Sequence, residues 1–151
     1  MIVVELTESE AMQAALVAVQ RQVQNLFAGR RDANHAPQTT GWDFHIQGAA
    51  GEMAFAKWCG EYWSGSLGDL NAADVGARQV RTTSYPYGHL LLKGRDKPDD
   101  VFVLVTGRIP TFTLVGWIFG RDGMISRLHQ DRADNGRPCW WVPQSMLQKF
   151  A

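Results

Sequence analysis

The sequence predicts an α+β fold: two helices, then a mixed, largely antiparallel central sheet, then a short closing helix. Three observations predict it. Apolar residues recur at helical spacing over residues 8–60. From residue 74 onward they give way to short β-prone runs, and Pro/Gly turns punctuate those runs. The 151 residues suit a single domain, 1–151, able to bury an ordinary core.

Each element has its own signal. Ile2-Val3-Val4 is a short β-prone run suited to a sheet edge. Thr7, with Glu10 three residues on, is a capping-box signature and opens a helix. Met12, Leu16, Val19, Val23 and Leu26-Phe27 give that helix its apolar face, and Gln13, Gln20, Gln22 and Gln24 its solvated one, with Gly29 as the stop. Residues 30–41 have loop composition, and Arg30 and Arg31 place positive charge where they complement the helix C-terminus or serve function. A second helix runs from Trp42 or Asp43 to Gly60, followed by a Gly/Ser loop to Gly68. Strand signals then occupy residues 74–75, 78–84, 89–93, 101–106 and 111–119. Residues 121–137 are polar and irregular, and Pro143 before Ser145-Met146-Leu147 marks the short closing helix.

Composition removes several function classes. Six Trp, seven Phe and three Tyr exclude a disordered chain. No apolar run is long enough to span a membrane, so no membrane partner is expected. The N-terminus lacks the basic start and apolar run of a signal peptide, which gives a cytoplasmic expectation. Fifteen basic and fifteen acidic residues argue against a general polyanion binder but allow a local basic surface. Cys59 and Cys139 stand far apart, and the four His are scattered, so neither zinc spacing nor a disulfide framework is indicated.

Two oddities point to chemistry. At helical spacing Glu52 is surrounded by Gly48, Ala49, Phe55, Ala56 and Cys59, a carboxylate in the middle of an apolar face. A buried charge must find a cation, a metal ion or a proton. In the stretch from Asp74 to Thr83, alternation puts Gln79, Arg81 and Thr83 on one face, while flanking hydrophobic strands are expected to place this strand inside the sheet. Asp74 can lie beside Gln79 if the chain folds back at Gly76, which makes one polar patch of Asp74, Gln79 and Arg81 near Glu52.

The run GAAGEMAFAKW, then DVGARQVRTTS, then the apolar strands HLLLK and DDVFVLVTG resembles the PD-(D/E)XK nuclease superfamily. More narrowly it is similar to small phage-encoded proteins of that type, whose pattern reads GE on a helix followed by D…EVKTT. The resemblance covers residues 48–119, within a nuclease-like core of about 42–119, and implies a restriction-endonuclease-like fold. It implies that the helical acid is Glu52, that the strand aspartate is Asp74, and that the (D/E)XK positions fall on Gln79 and Arg81. Glu52, Asp74 and Gln79 would then hold Mg²⁺ or Mn²⁺ for hydrolysis of DNA, and the host cytoplasm would be the location of a phage-encoded protein.

Both (D/E)XK positions depart from the pattern. Gln79 offers an uncharged oxygen. Arg81 cannot act as a general base but can clamp a phosphate with two parallel hydrogen bonds. Lys93 is a candidate displaced ammonium, and Arg78, Lys93, Arg95 and Lys97 form a candidate phosphate-contacting rim, with Asp96, Asp99 and Asp100 among them. Tyr85 and Tyr87 can stack on bases or rest on the sheet, and His89 is either a proton-transfer group or structural. The alternative is a catalytically inactive nuclease-fold protein that binds nucleic acid or a host or phage protein, with Glu52 and Arg81 pairing with each other.

Overall fold

A computed structural model describes residues 1–30, 41–67 and 72–151. Arg31 and His35, and the end of the Gly/Ser loop at 68, lie outside the described residues. The chain is α+β: β1 (Ile2–Glu5), α1 (Glu8–Phe27), α2 (Gly41–Cys59), β2 (Arg78–Thr83), β3 (Leu90–Leu92), β4 (Val101–Arg108), β5 (Thr111–Phe119), α3 (Gly120–Gly123), β6 (His129–Gln130) and β7 (Cys139–Val142). One-turn 3₁₀ segments occupy Ser126–Leu128 and Gln144–Met146, the second starting after Pro143. Among the described residues, no helix is long and apolar enough to cross a membrane.

The central sheet has the order β1-β5-β4-β2. β2 and β4 are parallel, whereas β4–β5 and β5–β1 are antiparallel. A second, antiparallel sheet has the order β3-β7-β6. Val80, Val103, Val105, Phe112 and Leu114 join α1 and α2 in one core, while Phe102, Leu104, Val115 and Ile118 join Leu90, Leu92 and Val142 in another. The central sheet is thus the middle layer, with helices on one face and the small sheet on the other.

Contrary to the expectation from its hydrophobic flanks, β2 lies at the edge of the central sheet rather than inside it. The expected flanking strand, β3, leaves that sheet to pair with β7, a four-residue Cys-Trp-Trp-Val run about fifty positions away. Such a long-range pairing has no local sequence signature beyond the β propensity of its residues.

The capping box forms as expected. Thr7 Oγ1 accepts from the Glu10 amide at 3.2 Å, and the Thr7 amide donates to Glu10 Oε2 at 2.7 Å. Gln13, Gln20 and Gln24 are exposed as expected, but the inner face of α1 is not the expected one. Ala14, Ala18 and Gln22 are buried, whereas Met12, Leu16, Val19, Val23, Leu26 and Phe27 are exposed. The reason is α2, which is buried continuously from Ala49 to Ala56 between α1 and the sheet. A helix held that close is met by the alanine line of α1 and not by its bulky side chains.

Close approach recurs on the sheet side of α2. A Cβ at Gly51 would overlap Oγ1 of Thr82 on β2. Gly51→Ala is therefore expected to destabilise the fold by about 1–3 kcal/mol in chemical denaturation. Adding Thr82→Ala should recover part of that loss.

Candidate functional site

Glu52 projects from the buried stretch of α2 and keeps only 7% of its surface exposed. Its charge is met by Arg21 of α1, whose Nη1 and Nη2 donate to Oε1 and Oε2 at 2.8 and 3.0 Å. Trp63 Nε1 donates to Oε2 at 3.0 Å, and Arg21 Nε donates to the Ser66 carbonyl at 3.1 Å. This is a two-pronged guanidinium–carboxylate pair with its remaining donor also engaged. Glu52 and Arg81 do not pair with each other. Arg21 is hidden in the sequence because it falls between Gln20 and Gln22, on what reads as a solvated face. Its spacing from Ala14 and Ala18, seven and three residues back, sets it beside the true inner face.

Asp74 reaches the same region through a tight turn. Gly76 adopts φ +58°, which lets Val75 and Arg78 pair, and the Asp74 amide donates to the Arg78 carbonyl at 3.0 Å. Asp74 Oδ2 then accepts from the Val80 amide at 2.7 Å. Arg81, one strand position further, donates from Nη2 to Asp96 Oδ1 at 2.9 Å, places Nη1 3.9 Å from Asp74 Oδ2, and stacks over Phe102. Its Nε is buried and lacks a hydrogen-bond partner among the described residues.

These groups converge on a cavity of about 190 Å³. Arg21, Gln24, Asn25 and Arg30 come from α1 and its end, His45 from α2, and Asp74, Gln79, Arg81 and Arg95 from β2 and its surroundings. The edge position of β2 makes this convergence possible, since side chains from both faces of the sheet can meet around a strand edge. Gln79 Nε2 donates to the Ala72 carbonyl at 3.3 Å, and Asn25 Nδ2 lies 3.2 Å from His45 Nε2.

The other expected substrate residues are dispersed. Arg78 pairs with Glu61 and lies over the Phe55 ring, outside the cavity lining. Tyr87 is 90% exposed in the turn before β3, which Gln144 holds through the Pro86 and Gly88 carbonyls. The Lys93 amide donates to Asp96 Oδ2 at 2.7 Å, and burial, helped by Arg81 and Arg95, lowers its ammonium to about 8. His89 packs edge-on against Trp141, away from the cavity.

A divalent ion held by Glu52, Asp74 and Gln79 together does not fit this arrangement without a change, because Arg21 and Trp63 occupy the Glu52 oxygens. Asp74 and Gln79 line the cavity; Glu52 stands behind its wall. No three His, Cys, Asp or Glu side chains among the described residues are grouped to hold a metal ion. No protein-family model matches this chain, and neither does any curated protein or solved structure.

Burial first, and the nearby Glu52 charge second, push Asp74 up to about 7, against the Val80 amide, Arg81 and Arg21. The folded chain therefore holds this proton more tightly than the unfolded chain, whose Asp titrates near 3.8. Stability contributed by the proton is present below 3.8 and declines as pH rises toward about 7. We expect Asp74→Asn to remove this decline, measured as urea-unfolding free energy across that window. For the buried pair, Arg21→Met should cost about 3–5 kcal/mol by stranding Glu52, and Arg21→Met with Glu52→Gln should cost less.

Proposed function

We propose that the chain binds DNA at this cavity and takes the phosphodiester backbone on its arginines. The observation that carries this reading is the lining: Arg21, Arg30, Arg81 and Arg95 surround a polar cavity whose carboxylate, Asp74, is shifted toward its neutral form. Guanidinium groups suit phosphate oxygens because their donors are planar and paired. Glu52 and Asp96 offset part of this charge, and in doing so fix the orientation of Arg21 and Arg81. Arg30 and Arg95 are exposed and supply the accessible positive charge.

The volume is below the roughly 300–1,000 Å³ of pockets that enclose drug-sized ligands. It suits one group of an extended chain, such as a backbone phosphate. The zero net charge makes this a local feature, so binding is confined to one surface.

A second reading, Mg²⁺- or Mn²⁺-dependent DNA hydrolysis, is favoured by the nearness of Asp74 to Glu52, whose charge raises the Asp74 proton affinity. A carboxylate whose proton affinity is raised by a nearby like charge also favours a cation beside it. Asp74 and Gln79 would hold such an ion, which would supply a Lewis acid and a water of lowered pKa. Arg81 would orient the phosphate in either reading.

The test is fluorescence anisotropy with single- and double-stranded DNA, without metal, on the wild type and on Arg30→Ala/Arg95→Ala. We expect salt-dependent binding that weakens in the variant, with the duplex log–log salt slope reduced by about 0.9 for each phosphate no longer neutralised. Absence of binding to either DNA by the folded wild type would overturn the proposal. Cleavage assays with each metal decide the second reading, which requires cutting that disappears in Asp74→Ala.

A further inference from the structure

The exposed face of α1 is built like the seam of a paired helix. Met12, Leu16, Val19, Val23 and Leu26 are spaced four, three, four and three residues apart, the alternation of a coiled-coil core. All five are exposed, Leu16 by 65% and Met12 by 61%, and Phe27 at the end by 91%. At about 100° per residue the stripe is centred about 120° round the helix from the Ala14/Ala18/Gln22 line that packs on α2. No described element covers it.

We propose that this face pairs with the same face of a second copy of the chain, with the two α1 helices antiparallel about a two-fold axis. The heptad spacing calls for a helix as occupant, since only a helix presents matching holes along such a seam. Charge allows that helix to be α1 itself, and the opposite charges of Glu8 and Arg30 at its two ends favour it. Between Glu10 and Phe27 the only charged residue of α1 is Arg21, and it is turned inward to Glu52. Like therefore faces like without repulsion, and Gln13 and Gln20 beside the seam can bond across it.

The antiparallel sense follows from the ends. In a parallel pair the exposed Glu8 residues and the aligned helix dipoles would lie side by side. In the antiparallel pair Val19 meets its own copy at the centre, Leu16 approaches Val23, and Met12 approaches Leu26. Each Glu8 then approaches the partner end that carries Arg30. Arg21, Gln24 and Asn25 lie on other sides of the helix, so of the α1 residues that line the cavity the pairing approaches Arg30 alone.

The test is sedimentation equilibrium of the full chain across the micromolar range, on the wild type, Leu16→Glu and Val23→Glu. We expect the wild type at twice the 16.9 kDa chain mass and each variant at once that mass. Thermal melting followed by circular dichroism should keep the two-state shape in both variants, which shows that dissociation is not unfolding. A wild type that stays monomeric overturns the proposal. So does a dimer that survives both substitutions, because its interface would then lie elsewhere.

Discussion

The buried pair of Arg21 and Glu52 is the constraint on which the rest of this structure rests. Glu52 sits where α2 is enclosed by α1 and the sheet, and an unpaired carboxylate there would be very costly. Arg21 meets it with two donors and uses the third on the Ser66 carbonyl, and Trp63 adds a fourth hydrogen bond. One ion pair thereby ties α1, α2 and the segment after α2 into a single unit. The same pair sets the field around Asp74, whose proton affinity is raised by burial and by Glu52 and moderated by Arg21 and Arg81.

Fold and site are linked through the edge of the sheet. Gly51 lets α2 press against Thr82, which fixes β2 against the helical layer. Because, among the described residues, no strand beyond the single Val75–Arg78 bridge pairs on the outer side of β2, Gln79 and Arg81 from one face and Arg21 and His45 from the other can line the same cavity. A central strand would have kept these groups in separate layers. The polar character of β2 is thus what a cavity at a strand edge requires.

Much of this is legible in the sequence, for identifiable reasons. The capping box, the two helices, and the strands β2, β4 and β5 are encoded locally, by caps, periodicity and turn residues. Glu52, Asp74, Gln79 and Arg81 stand out as polar groups in apolar or strand contexts, and in the folded chain they gather around one region. What is not legible depends on partners distant in the chain. The inner face of α1 is misplaced in the sequence reading because bulky residues usually mark the core, whereas here alanines set the packing on α2. Arg21 is concealed with that face. β3 and β7 pair across about fifty residues, and nothing within either three- or four-residue strand specifies the other.

On the proposed function, the cavity takes phosphate on its arginines. The most direct measurement follows the Nε–Hε NMR signals of arginine during titration with a short single-stranded oligonucleotide, assigned by substitution. We expect the signals of Arg81 and Arg95 to shift together and to saturate at one oligonucleotide per chain. Shifts confined to arginines outside the cavity, such as Arg108 and Arg121, would contradict it.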